Sequence, residues 1–479
     1  MDHTKLISDL IRVVGQGAVL YRPEELLVYE ADGHTIDKAA PRAIVLPSST
    51  EQVSQVLRYL HQTGIPFVPR GAGTGLSGGS LALENGVVVC TARMRRILEV
   101  DIPNLRAVVE PGVANIRLSQ EVGHGYAYAP DPSSQAACSI GGNVAENSGG
   151  PHCLKHGFTT NHVLGVELVL PEGEVVMLGG KAEEYPGLDL RGFVIGSEGT
   201  LGVVTKVMVR LVRVPEAVKT LLAVFDTVDS ATRTVSDIIA AGVIPSALEM
   251  MDHVVIQAVE RSPVAAGYPL DAAAVLLIEL DGPPEGFDWE MAQVREICQR
   301  HQAREVRVAK DDKERALLWR GRKHAIGAVG ALATAFYTQD GVIPRKRLPE
   351  LLALVADVAK RYQLTIGNVF HAGDGNLHPL IVYDANDGDA PRRVQQAGGE
   401  IMAACVAAGG SLSGEHGIGL EKREYMPLLF SGADLAAMAQ ARAAFNPDGR
   451  CNPGKVFPTS TGCGEVGAIT KPGVLPAVA

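Results

Sequence analysis

Arg70-Gly-Ala-Gly-Thr-Gly-Leu-Ser-Gly-Gly-Ser80 is the stretch whose reading decides the fold. Its five glycines, Gly71, Gly73, Gly75, Gly78 and Gly79, give a backbone that can come close to a ligand and offer amide N–H groups to anionic oxygens, as a diphosphate requires. Gly73-x-Gly75-x-x-Gly78 formally fits the dinucleotide fingerprint, and Glu99 or Asp101 follows in the place of its acidic residue. The surroundings do not fit it. A Rossmann loop opens a helix, whereas Leu81 to Asn85 is too short for one and Val87-Val88-Val89 already reads as a strand. A phosphate cradle outside the Rossmann class is expected, ahead of a tight turn without a ligand.

Upstream, the apolar run Ala43 to Leu46, Ser49 as a candidate N-cap, Val53, Val56, Leu57 and Leu60 at helical spacing, and Ile65 to Val68 spell strand, helix, strand. That unit delivers the glycine loop. Downstream, short strands between Gly86 and Val113 and a helical pattern from Asn115 to Val122 lay down an α+β domain. Pro130 to Gly157 is dense in Gly, Ser, Asn and Pro without an apolar period, and reads as loop or ligand wall. Val163 to Leu170 and Glu174 to Leu178 read as a hairpin, and Phe193 to Val212 as two β-rich runs around a second glycine turn that presents Glu198.

After Pro215 the texture changes to longer strands alternating with amphipathic helices, including one helix over Lys313 to Ala333, which predicts a second α/β layer acting as a cap. The expected division is 1–215, 216–415, a C-terminal segment 416–458 returning to the first domain, and a disordered tail 459–479.

At 479 residues the chain exceeds one ordinary core and can bury a large ligand. A formal net charge of −10, with no run of basic residues, argues against a nucleic-acid partner. No apolar stretch is long enough to span a bilayer and the first residues lack signal-peptide character, so any link to a membrane is expected through a partner. The seven cysteines are scattered without a C-x-x-C, so neither a disulfide framework nor an iron–sulfur cluster is readable, and a cytoplasmic setting fits.

Two histidines bracket His371-Ala-Gly-Asp-Gly-Asn-Leu-His378. Their odd separation would send them to opposite faces of a straight strand, and the glycines oppose a helix, but a turn at Gly-Asp-Gly-Asn lets both imidazoles face one point. Ser413-Gly-Glu415-His416-Gly417 adds a carboxylate beside a third histidine. Two imidazoles and a carboxylate are a common ligand set for Zn²⁺, Mn²⁺ or Fe²⁺ with an open position. The bland alternative is hydrogen bonding within their own turns. A zinc hydrolase is the rival chemistry, but H-E-x-x-H is absent and hydrolysis leaves the upstream glycine loops unexplained. Arg320, Arg322, Lys323 and His324 form either a solvated basic face or a fork for a substrate carboxylate. Tyr337 and Asp340 are candidates for the same pocket, and His152, Lys155 and His156 for cofactor contacts.

With PRGAGTGLSGGS, CSIGGNVAENSGGPHCLKHG, GSEGTLGVVTKV, HAGDGNLHP, GEHGIG and NPGKVFP in this order, the chain resembles the vanillyl-alcohol oxidase and p-cresol methylhydroxylase family of flavoproteins. Within it, the likeness is to the glycolate oxidase and D-lactate dehydrogenase branch, and it runs from about Pro41 to Pro458. The resemblance implies an α+β fold with a two-subdomain FAD-binding domain and an α/β ferredoxin-like cap. It assigns FAD contacts to Arg70, Gly71, Gly73, Thr74, Gly75, Leu76, Pro130, Ser133, Ser134, Ser139, Gly142, Asn143, Asn147, Gly150, Glu198, Gly199, Val203 and Asn452. It matches His371, His378 and Glu415 to divalent-metal ligands, zinc slightly preferred, His416 to the proton acceptor and Arg322 to the substrate carboxylate.

The implied reaction is oxidation of a small 2-hydroxy acid to the 2-oxo acid by hydride transfer to flavin N5. Hydroxyglutarate dehydrogenases carry a lysine and an asparagine where this chain has Thr338 and Leu380, which favours glycolate or D-lactate. Electrons are expected to pass to an iron–sulfur or second flavin subunit, a cytochrome or a quinone, with the enzyme peripheral to the inner membrane through such partners. A D-2-hydroxyglutarate-type dehydrogenase and an alkyl-transferring flavin synthase are the competing activities.

Overall fold

Ser49 caps the helix Thr50–Thr63 by accepting from the Gln52 amide, and Gly64 ends it in the left-handed region. Val53, Val56, Leu57 and Leu60 are fully buried on one side of that helix, each contributing roughly 1.5–3 kcal/mol. A charge at Val56 would therefore undo the packing. The helix connects Ala43–Val45 to Phe67–Arg70, and both strands lie parallel to Val87–Cys90 between them. Parallel strands need such a crossover, so the strand-helix-strand pattern supplies two strands of a four-stranded sheet, completed by Val87–Cys90 and Val19–Leu20.

A computed structural model describes residues 2–34, 36–182 and 185–459. The expected tail lies outside the described residues, apart from Thr459. A second sheet of five antiparallel strands runs in the order Ile97–Asp101, Arg106–Val109, Val203–Arg210, Val163–Val169, Val175–Gly179. One face packs on the helices Asn115–Val122 and Ile140–Glu146 through Val109, Leu118, Val144, Leu168 and Val207. The third sheet is the largest and is antiparallel throughout its recorded pairings, with Ala217–Phe225, Ala274–Gly282, Ala247–Asp252 and Thr365–His371 as consecutive neighbours. Helices cover both of its faces, giving two separate cores around Phe225, Leu276 and Phe370 and around Val224, Leu277 and Trp319.

The chain end returns to the first sheet. Phe67 donates to the Arg450 carbonyl at 3.0 Å and accepts from the Asn452 amide at 2.8 Å. All six cysteines among the described residues are free and buried, and no described helix is long and apolar enough to cross a membrane.

The structure differs from the sequence reading where periodicity is weak. Pro130 to Gly157 holds two short helices, Ile140–Glu146 and Cys153–His156, the first capped by Ser139. Its Gly141-Gly142 pair hides the helical pattern. The first β-rich run of Phe193 to Val212 belongs instead to the helix Leu190–Val194, capped by Asp189, while the second is the strand Val203–Arg210. The helix expected over Lys313 to Ala333 breaks at His324 into Asp312–Lys323 and Ala325–Gly330.

Candidate active site

The glycine loop leaves the strand Phe67–Arg70 at the edge of the first sheet and meets the N-terminus of the helix Ile140–Glu146. A methyl group on Gly71 would lie 2.3 Å from Ser139 Oγ. Gly73 has φ +72°, and a Cβ there would meet the Arg70 guanidinium at 2.2 Å. The left-handed φ strains any larger residue at Gly73, and a side chain at Gly71 would have to displace the Ser139 hydroxyl that caps the facing helix. Arg70 folds over its own loop, donating to the carbonyls of Ala31 (2.9 Å) and Ser80 (3.4 Å) and lying over the Tyr29 ring.

One cavity runs from this loop, past Ser133, Ser134, Ser139, Gly142 and Asn143, to Glu198, Gly199 and Val203 on one side and to Arg322, His371, His378, Glu415 and His416 on another. Arg70, Gly71, Gly73, Thr74, Gly75 and Leu76 all line it. Four residues expected at the cofactor stand outside its lining. The Pro130 carbonyl accepts from Asn115, Asn147 Oδ1 accepts from the Thr160 amide, and Gly150 backs onto the Asp131 carbonyl. Asn452 ties the Gly79 and Glu198 carbonyls together at 2.8 and 2.7 Å. These four brace the wall.

Backbone N–H groups, small side chains and room for a long ligand fit FAD, whose diphosphate needs donors and close approach. Two acids in this wall are pushed up by burial: Glu198 to about 7, and Glu146 well above the carboxylate range, with Glu198 as the second cause. The Glu198 carboxylate accepts from the amides of Ile418 and Gly419, each at 2.6 Å, and so binds the C-terminal segment to the cradle. Sequence reasoning did not single out Glu146. Its signal was a lone acid in a wall otherwise made of small residues.

At the far end the strand Thr365–His371 stops at its histidine, and the turn through Gly373 and Gly375 brings His378 back with its ring centroid 5.2 Å away and perpendicular. His371 Nε2 and His378 Nε2 lie 3.1 and 3.0 Å from the same oxygen, Glu415 Oε1. The His378 nitrogen is close to that oxygen yet not aligned for a hydrogen bond, and both its ring nitrogens lack an aligned partner. Three donor atoms within 4.8 Å of one another, from two buried histidines and the partly buried Glu415, fit a divalent cation with an open position.

His416 stacks on His378 at 4.8 Å, and its Nδ1 is buried without a hydrogen-bond partner. Burial drives this imidazole down to about 4, with Asp340 opposing the shift, so it is neutral over the physiological range. Asp340 lies beneath the loop and fixes it, accepting from Ser413 Oγ (2.6 Å) and from the amides of Gly414 (3.1 Å) and His416 (2.9 Å). Arg322 is buried at the cavity edge against Glu249, a residue sequence reasoning missed. Glu249 was legible only as a carboxylate set in the apolar run Ala247–Asp252.

The rest of the basic group is elsewhere. Arg320 reaches the Ala265 carbonyl, Lys323 reaches Asp131, and His324 bonds the Arg320 carbonyl. His152, Lys155 and His156 lie outside the cavity lining and face carboxylates, His152 bridging Asp131 of its own domain to Glu279 of the cap while Lys155 and His156 meet Asp281 of the cap. Tyr337 is buried against His34. Thr338 and Leu380 are direct cross-strand partners, both buried and neither lining the cavity.

Residues 41–179 match the family described as FAD binding domain, and residues 214–456 the family described as FAD linked oxidases, C-terminal domain. The chain is 47% identical to glycolate oxidase subunit GlcD of Escherichia coli (strain K12) over 470 residues, 98% of this chain and 94% of that protein. It is 31% identical to D-lactate dehydrogenase of Anaerostipes hadrus, over 88% of this chain and 90% of that one. Among solved structures, p-cresol methylhydroxylase with substrate bound superposes with a TM-score of 0.81 at 16% identity, covering 96% of this chain and 98% of the other, so the two share a fold. The α+β architecture is thus that of the p-cresol methylhydroxylase type, and the chain belongs to the FAD-linked oxidases.

Proposed function

We propose that this enzyme oxidises a small 2-hydroxy acid, glycolate or D-lactate, to the 2-oxo acid, using FAD and a divalent cation held by His371, His378 and Glu415. The observation that carries the reading is the single cavity joining the glycine-built cradle to the imidazole cluster. The relatives named glycolate oxidase subunit and D-lactate dehydrogenase support the substrate class.

When bound, FAD supplies the acceptor for the electron pair leaving the carbinol carbon as hydride, and the cation supplies Lewis acidity at the hydroxyl oxygen. Arg322 binds the substrate carboxylate, which decides which α-hydrogen faces the cradle. His416, neutral because it is buried, accepts the hydroxyl proton at a ring nitrogen. Asp340 keeps that ring in place by holding the His416 amide.

Electrons then pass to an external acceptor: an iron–sulfur or second flavin subunit, a cytochrome or a quinone pool. We place the enzyme in the cytoplasm, meeting the membrane through such a partner. The functional division is 1–215 for the cofactor, 216–415 for the substrate and 416–458 for closing the cradle.

Anaerobic mixing of the yellow protein with glycolate, D-lactate, L-lactate and D-2-hydroxyglutarate tests the proposal. Rapid bleaching of the flavin band by glycolate or D-lactate is expected. Bleaching by hydroxyglutarate alone would reassign the substrate, and no bleaching by any of the four would reject the activity.

A further inference from the structure

Glu249 occupies the middle of the strand Ala247–Asp252 and is fully buried between Leu248 and Met250. Antiparallel register sets it directly opposite His371. Its Oε1 and Oε2 lie 2.8 and 3.0 Å from His371 Nδ1, and Oε2 lies 2.5 Å from Arg322 Nη2. Taking a carboxylate out of water costs several kcal/mol unless charged or donor groups surround it. Here its two partners come from the two functional ends of the site, one from the ion-ligand set and one from the carboxylate-binding edge.

Each contact has a directional consequence. A hydrogen bond from His371 Nδ1 to Glu249 leaves the lone pair on Nε2, the nitrogen that faces Glu415 at 3.1 Å. The contact to Arg322 engages one Nη, while Arg322 Nε stays buried without a partner. The guanidinium thus keeps donor capacity for an incoming anion while its charge is partly neutralised from behind.

We infer that Glu249 is a positioning residue that couples the cation site at His371 to the substrate-carboxylate site at Arg322, because one carboxylate is shared between them. Drawing electron density from His371 through Nε2 strengthens its Nδ1–H as a donor and pulls the charge of Glu249 toward the ring. Arg322 is then less neutralised and attracts an anion more strongly. By linkage, an anion on Arg322 releases Glu249 toward His371 and tightens the cation by the same factor. The inference rests on the cation and carboxylate assignments made under the proposed function.

The test measures Zn²⁺ affinity of the FAD-loaded full chain by chelator competition, with and without propionate, a carboxylate lacking the oxidisable hydroxyl. Wild-type protein is expected to bind Zn²⁺ several-fold tighter in propionate. Glu249→Gln should weaken Zn²⁺ by roughly 10–100-fold, the usual scale for removing a partner of a ligating histidine, and abolish the propionate effect while the flavin spectrum is retained. Arg322→Met leaves Glu249 in place and serves where the glutamine variant does not fold. It should tighten Zn²⁺ and also erase the propionate effect. Wild-type Zn²⁺ affinity and an intact propionate effect in either variant would overturn the coupling alone. A wild-type protein that binds no Zn²⁺, Mn²⁺ or Fe²⁺ would overturn the cation assignment with it.

Discussion

The two ends of the cavity are built by opposite means. The cradle is made of backbone: Gly71 and Gly73 are squeezed against Ser139 and Arg70, and the charges of Arg70 and Glu198 hold main-chain groups. The imidazole end is made of side chains, with carboxylates from three distant segments, Glu249, Asp340 and Glu415, surrounding three histidines. The backbone site leaves little room for added atoms and draws its chemistry from main-chain amides rather than from particular side chains. A side-chain site tolerates isosteric change yet depends on groups far away in sequence.

The largest break in this contrast should come at the imidazole end. His416→Ala is expected to keep FAD and to slow flavin reduction by on the order of 10² or more, the scale for a lost general base. Near-wild-type reduction in stopped flow would remove His416 from the mechanism. His371→Ala should likewise leave the yellow colour while reduction by the 2-hydroxy acid is lost, and an unchanged metal content in elemental analysis would contradict its assignment as a ligand.

At the cradle the expected outcome is reversed, with cofactor lost and the metal site kept. Gly73→Val places a branched residue at φ +72° and drives its Cβ into the Arg70 guanidinium. Left-handed strain alone costs about 1–2 kcal/mol, so FAD affinity read by fluorescence should fall by roughly 5- to 30-fold. Retention of FAD through gel filtration would show that the loop rearranges freely.

A smaller effect sharpens the comparison by pH. Asp252, on the strand that carries Glu249, is raised by burial to about 6. An acid whose folded pKa lies above its unfolded value gives stability that is complete below the unfolded value and is lost as pH climbs through the folded one. From this residue alone, stability should therefore drop by on the order of 3 kcal/mol between about pH 4 and pH 6, with depressed acids such as Glu279 acting in the opposite sense. The wild-type minus Asp252→Asn difference in denaturant unfolding isolates it, and a difference that is flat with pH would refute the shift.

The smallest effect belongs to the contact between the halves. Lys155→Ala removes one of two cationic neighbours of the mostly buried Asp281 carboxylate, His156 remaining beside it, and should cost about 1 kcal/mol, seen as a small fall in Tm. A large fall would mean that the short helix carrying Lys155 clamps the cap in place.

Local pattern was enough wherever a segment decides its own conformation. The Ser49-capped helix, the crossover it makes, the glycine loop with no helix behind it, and the turn that folds His371 back on His378 all follow from spacing within single continuous segments. The helix Ile140–Glu146 escaped because two glycines erase its period, and the break at His324 because an amphipathic pattern continues across it.

What the sequence by itself determined is the set of chemical groups and the short turns that present them: amides able to meet an anion, and three imidazoles and a carboxylate of the kind that can hold a cation or take a proton. Only the tertiary structure decided which groups meet. Glu249 reaches His371 through sheet register across 122 residues, and Glu198 reaches Gly419 across 221. Such contacts are set by how whole sheets and helices pack. A buried carboxylate can be recognised in sequence as needing a partner, but the partner is chosen by the fold.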